Sequence, residues 1–212
     1  MSYFGVISEG DTDYVVLENI LIGYLEKDVT AFINQLQPPK GKSGGWSRVL
    51  KYCGSSDFKN DFVDNDFMVI QIDTDKSFES PFNVQQEGIK GDLTIEALIE
   101  RVKERFLVLF ESSFGVTFFE EYAHRILFAI TVHSTECWLL PLYFDDKKDK
   151  SEVKSCYEKL NKKVKNLQKT YDFYDKVSTD FSFPKKLNRA YNENISLKIF
   201  IEHELKLKVS KL

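Results

Sequence analysis

The residues best placed for chemistry are acidic and sit where apolar runs end. Asp73-Thr74-Asp75 closes the run Phe67-Met68-Val69-Ile70-Gln71-Ile72. That run reads as a buried strand. A buried strand ending on two carboxylates needs a reason, because Asp is a poor strand former and like charges this close repel unless something neutralises them. Side chains two apart in an extended segment face the same side, so both carboxylates can meet one hard cation. Mg²⁺ suits such a pair, since it takes few protein oxygens and keeps waters for substrate phosphates. The simpler alternative is that Asp73 caps a turn and Asp75 is solvated.

Two more apolar runs end on a carboxylate. Tyr3-Phe4-Gly5-Val6-Ile7-Ser8 is followed by Glu9-Gly10-Asp11-Thr12-Asp13, and Arg125 to Val132 by His133-Ser134-Thr135-Glu136. Asp11 or Thr12 can cap the helix that follows the first, with Asp13 favoured by its dipole. Ser134 or Thr135 can cap the helix after the second, with Glu136 in its first turn. Capping leaves Glu9-Gly10 unexplained. A Glu at a strand exit, before a glycine that lets the backbone turn, puts a carboxylate in the crevice where open α/β sheets bind ligands. Carboxylates at three strand ends of one sheet edge destabilise one another unless a metal relieves the repulsion. Glu136 would be the last acidic corner.

The elements that must carry these residues alternate. A strand over 3–8 leads to a helix with Val16, Leu17, Ile20, Leu21 and Tyr24 at helical spacing. Val29 to Leu36 is a second strand, ended by Pro38-Pro39. The loop Lys40-Gly41-Lys42-Ser43-Gly44-Gly45 leads to a helix from Trp46 to Tyr52. Its glycine-to-lysine spacing is not that of a P-loop, so it is a connector, or glycines and lysines gripping a phosphate at a helix N-terminus. Asp57 to Asn65 makes a short helix before the strand that ends at Asp73. After an irregular loop over 76–91, Asp92 caps a long helix from Leu93 to Ser112. Phe114 to His124 is a shorter one, and the strand 125–132 follows. The remainder reads as helices: Lys147 to Lys169, Asp172 to Asp180, one opening at Lys185, and Ser196 to Leu205. The order predicts an α/β fold with a mostly parallel sheet flanked by helices. Residues 1–146 form the catalytic domain and 147–212 a basic helical extension packing on it.

Composition bounds the function. The 212 residues, 42% hydrophobic with 18 Phe and 10 Tyr, suffice for one packed domain. No run of eighteen apolar residues occurs, and the start has no basic leader, so neither a membrane span nor a secretory signal is expected. Cys53, Cys137 and Cys156 are odd in number and widely spaced, which argues for a reducing cytoplasm and against a zinc knuckle. His124, His133 and His203 are too scattered for a histidine metal site; a Cys137–His133 nucleophile pair is a minor alternative. Through Asp146 the chain has 12 Lys and Arg against 24 Asp and Glu, a net −12; from Lys147 on it has 17 against 9, a net +8. The basic part suits a polyanion, or is a set of solvated helix faces.

Glu9-Gly10 after a first strand with Asp73-x-Asp75 after a later one resembles the Toprim domain of topoisomerases, primases and OLD-family nucleases. Glu9-Gly10-x-Thr12-Asp13 and Ser134-Thr135-Glu136-Cys137-Trp138-Leu139-Leu140 are most similar to small stand-alone bacterial Toprim-like proteins of phage-defence, abortive-infection loci. The resemblance covers roughly residues 3–140. It implies a Toprim-like fold and a metal-dependent nuclease acting on DNA or RNA, working with an ABC/OLD-type ATPase. Asp73 and Asp75 would hold Mg²⁺ or Mn²⁺, with Glu9 as ligand or general acid/base, Asp13 as the second acidic position of OLD-type sites, and Glu136 completing a second metal position. Two ions can activate water and stabilise the leaving oxygen. Lys185, Lys186 and Arg189 would grip the nucleic acid backbone. Two alternatives stand beside this: a latent regulatory or binding subunit of an ATPase complex, and a haloacid-dehalogenase-like phosphatase, whose Asp-x-Asp normally follows the first strand.

Overall fold

A computed structural model describes residues 2–26, 32–88 and 91–209. In chain order its elements begin β1 (Phe4–Ile7), α1 (Asp11–Leu25), β2 (Ile33–Gln37), α2 (Trp46–Cys53), α3 (Ser56–Asn60) and β3 (Phe67–Asp73). A two-residue pairing of β4 (Glu87–Gly88) with β5 (Gly91–Asp92) precedes α4 (Ile95–Phe114), α5 (Phe118–Tyr122) and β6 (Ile126–Thr131). The remainder is helical: α6 (Glu136–Tyr143), α7 (Lys147–Lys150), α8 (Cys156–Val164), α9 (Tyr171–Ser178), α10 (Pro184–Tyr191) and α11 (Ile195–Ile199). The last continues through a π-helical stretch, Phe200–Leu205, into α12 (Lys206–Lys208).

The four long strands form a parallel sheet in the order β2-β1-β3-β6, as the alternation of elements predicts. From β1 the chain moves outward to β2, then returns to place β3 on the other side of β1. The order therefore reverses between β1 and β3, and the crevice for a ligand opens there. Successive strand residues face opposite sides. Phe4, Val6, Phe67, Val69, Leu127 and Ala129 join one buried layer, while Ile7, Met68, Ile70, Phe128 and Ile130 join the other. The first layer is covered by α1, α6 and the helices after residue 155, whose Tyr174, Phe181, Leu197 and Phe200 share its core. The second is covered by α2, α4 and α5 through an aromatic cluster around Phe58, which stacks on Phe110 at 5.4 Å. Lys103 of α4 holds the buried Glu204 at 2.9 Å, and Lys208, paired with Glu204 one turn away, donates to the Ile126 carbonyl at 2.6 Å; the two links fasten the last helix to the body.

Several local expectations are corrected. The second strand runs Ile33–Gln37 rather than from Val29; residues 29–31 lie outside the described residues. Helix α1 starts at Gly10 with no side-chain cap, because the Asp11 carboxylate accepts from Gln35 Nε2 and Gly41 N–H instead. Thr94, not Asp92, caps α4, since the backbone at Asp92 is still paired in β5. Lys147 to Lys169 is two short helices, not one. Ser155, Lys165 and Asn166 have φ near +55°, a conformation no right-handed helix passes through.

Candidate active site

All five acidic residues singled out in the sequence line one open cleft of about 740 Å³ at the carboxyl ends of β1, β3 and β6. The fold reaches this with short connections. Glu9 leaves β1 just beyond a register shift in its pairing with β2 at Val6 and Ile7, the kind of irregularity that re-aims a strand end. Asp13 lies one turn further, at the start of α1. Asp73 is the last residue of β3, opposite Thr131 of β6, and Asp75 lies exposed at the rim. Glu136 opens α6.

A buried glutamine ties the floor together. Gln71 interrupts the apolar run of β3 and is 1% exposed. Its Oε1 accepts the Glu9 N–H at 3.0 Å, and its Nε2 donates to Asp73 Oδ1 at 2.8 Å and reaches the Thr131 and Thr135 hydroxyls. Glu9 Oε1 in turn accepts the Asp73 N–H at 2.7 Å. The Thr131 hydroxyl donates to Asp73 Oδ1. The Thr135 hydroxyl donates to Asp13 Oδ1 at 2.5 Å and stands 3.3 Å from Asp73 Oδ1. Thr135 takes the N-cap position of α6, as expected, but its hydroxyl makes no cap hydrogen bond and stands between two carboxylates instead. At the rim, His133 adopts φ 70°. There its N–H donates to Thr74 Oγ1 and its carbonyl accepts the Asp75 N–H, fixing the turn that presents Asp73 and Asp75.

This arrangement strains the charges. Burial, then the Asp13 charge, raises the Glu9 carboxyl to about 8, against the pull of the Asp73 N–H. Burial raises Asp13 to about 6, opposed by the Thr135 hydroxyl. Burial, then Asp13 and Glu9, holds Asp73 well above the usual carboxylate range. Lys169 and Lys76 are the cations in the lining. Lys169 is 67% exposed, 3.8 Å from Glu136 Oε1 and over the Tyr157 ring. Glu136 also accepts the Tyr174 hydroxyl at 2.5 Å, so its carboxylate is already engaged.

The donors fit a hard divalent ion: oxygen carboxylates, poorly compensated, with the hydrogen bonds to Asp73 all ending on Oδ1. Among the described residues no three acidic, histidine or cysteine side chains stand close enough to form a finished cage. Mg²⁺ bound through one or two carboxylates and several waters needs none.

Lys185, Lys186 and Arg189 do not line this cleft. They are exposed on α10, where Lys186 pairs with Asp180 at 2.6 Å and Arg189 approaches Asp145 at 3.8 Å. Lys186 and Arg189 border a small hollow at the far end of α6 from Glu136. The cysteines also depart from expectation. Cys137 and Cys156 form a disulfide joining α6 to α8, and Cys53 alone is free and buried. Their separation of 19 residues carried no pairing signal, and the bond removes Cys137 as a partner nucleophile for His133. Sequence reasoning missed Gln71, Thr131, Trp46 and Lys169. Only Gln71 had a signal, a polar residue inside an apolar strand. Among the described residues no helix is long and apolar enough to cross a membrane.

Compared with protein-family models, curated proteins and solved structures, the chain has no significant match.

Proposed function

We propose that this chain is a metal-dependent nuclease that hydrolyses phosphodiester bonds of DNA or RNA. The observation that carries the reading is the convergence of Glu9, Asp13, Asp73, Asp75 and Glu136 on one cleft at the sheet's switch point. Three of these carboxyls are desolvated and pushed upward in pKa. Folding alone gains nothing from such a cluster, and perturbed carboxylates in a cleft mark functional sites. The resemblance to Toprim-like proteins adds the reaction class.

Asp73 and Asp75 would hold Mg²⁺ or Mn²⁺, with Glu9 and Asp13 beside them. Bound there, such an ion supplies charge neutralisation for phosphate oxygens and a water of lowered pKa. The chain's own residues do the rest. Gln71, Thr131 and Thr135 fix the Asp73 and Asp13 carboxylates in place. Glu9, raised to about 8, can hold or release a proton near neutral pH. Lys169 at the open side can meet a phosphate oxygen. The same resemblance extends the proposal to an ATPase partner and a role in phage defence, in the cytoplasm.

The test is cleavage of plasmid DNA, single-stranded DNA and tRNA with Mg²⁺, Mn²⁺ or EDTA, with Asp73→Asn alongside. Metal-dependent cutting lost in a folded Asp73→Asn supports the nuclease. A folded wild-type protein that cuts nothing, alone or with a co-purifying ATPase, overturns it in favour of a regulatory subunit.

A further inference from the structure

A polyanion approaching five carboxylates is repelled unless cations lie on its path. The expected basic residues on α10 are elsewhere. The chain itself supplies another set. Between Asp28 and Asp57 it carries Lys40, Lys42, Arg48 and Lys51 and no Asp or Glu, an island of positive charge inside the acidic part of the sequence.

The fold brings the loop of this island against the exit of β1. The loop 40–45 is stitched to the exit of β1: Gly45 N–H donates to the Glu9 carbonyl at 2.6 Å, and Gly41 N–H to Asp11 at 3.1 Å. A side chain on Gly44 would meet the Glu9 carbonyl at 1.8 Å, so only glycine allows this approach. Trp46, the first residue of α2, forms part of the cleft wall. Arg48 and Lys51 follow on the same helix three residues apart, and so share a face. They stand roughly 3 and 7.5 Å further along its axis. Both are exposed, as is Lys42, and none of the three has a carboxylate partner among the described residues. Arg48 and Lys51 border a hollow of about 480 Å³ together with Gln37, Tyr52, Ser55 and Asp57.

We propose that Lys42, Arg48 and Lys51 form the track that carries the substrate's phosphodiester backbone into the acidic cleft from the β2 side. The ligand is a nucleic acid strand extending beyond the cut bond, not a mononucleotide, since the track leads away from the carboxylates. This rests on the nuclease reading and adds the path of the strand.

The experiment measures fluorescence anisotropy of a labelled single-stranded oligonucleotide, as DNA and as RNA, in EDTA over a salt series. Wild type is compared with Lys42→Ala/Arg48→Ala/Lys51→Ala and with the equal-charge control Lys147→Ala/Lys148→Ala/Lys198→Ala, each checked for folding by circular dichroism. The track variant should bind at least about tenfold more weakly, and its slope of log affinity against log salt should shrink by about 2, at roughly 0.7 per lost phosphate contact on a single strand. The control should match wild type. Equal weakening by both variants, or none by the track variant, overturns the track. Cleavage of the same oligonucleotides with Mn²⁺ separates the two readings. Persistent cutting with unchanged KM in the track variant defeats the track alone. A wild type that neither binds nor cuts defeats both.

Discussion

Removing the charge of Glu9 should make the ion-free protein more stable at neutral pH, not less. Its carboxyl titrates at about 8 in the folded chain against 4.5 unfolded. A raised pKa means the folded state holds the proton more tightly. The associated stability is complete below about pH 4.5 and is lost as pH rises through about 8. At about 1.4 kcal/mol per pH unit, the full span is on the order of 5 kcal/mol, an upper bound because Glu9, Asp13 and Asp73 repel one another and share the loss. For a chain of this size, about 2–4 °C accompanies each kcal/mol, so ion-free wild type should lose at most roughly 10–20 °C of Tm across that range relative to Glu9→Gln. A divalent ion opposes this loss. At a hundredfold excess over Kd it adds about 2.7 kcal/mol, or roughly 5–10 °C, at pH 8 and much less near pH 5, where protons compete. Differential scanning fluorimetry of both proteins across this range, in EDTA and in Mg²⁺ or Mn²⁺, measures each quantity. Parallel pH profiles in EDTA, or a metal increment of equal size in both proteins and at both ends of the range, would refute the reasoning.

Other perturbations test the supporting parts. Gln71→Leu keeps the volume but leaves the Glu9 N–H without its partner and takes one donor from the Asp73 carboxylate. It should cost about 1–3 kcal/mol in urea denaturation and lower cleavage at least about tenfold. Gly44→Ala drives a methyl into the Glu9 carbonyl and should lift the 40–45 loop, reducing cleavage while circular dichroism keeps its helical signal. Reducing Cys137–Cys156, which closes a loop of 19 residues, should lower stability by about 3 kcal/mol on chain-entropy grounds. Denaturation with and without dithiothreitol checks it, and Cys156→Ser should become insensitive to the reductant.

Local pattern was enough to place the sheet and its acidic ends. Six-residue apolar runs name the strands because burial on both faces needs nothing else from a parallel strand, and a carboxylate at the end of such a run is conspicuous. Glu9, Asp73, Asp75 and Glu136 were legible for that reason. Where the helices stop was less legible, because capping depends on which partner a side chain finds. Asp11 turned to Gln35 and Gly41, and Thr135 to Asp13, across 24 and 122 residues of chain. The C-terminal charge run read as one helix until positive-φ residues divided it.

The sequence by itself determined the α/β class and the acidic strand exits, since both follow from residue type and short-range period. Tertiary structure alone decided that those exits share a cleft, because the strand order β2-β1-β3-β6 sets β1 beside β3. It also decided where the cations lie. Lys185, Lys186 and Arg189 look basic in the sequence yet stand away from the cleft, whereas Lys42, Arg48 and Lys51 are thinly spread in the chain and gathered on the loop and helix after β2, a loop whose Gly45 N–H holds the Glu9 carbonyl. Charge counted along a sequence says nothing about which side of a sheet it reaches. Chain crossovers and the close approach of Gly44 to Glu9 set that position.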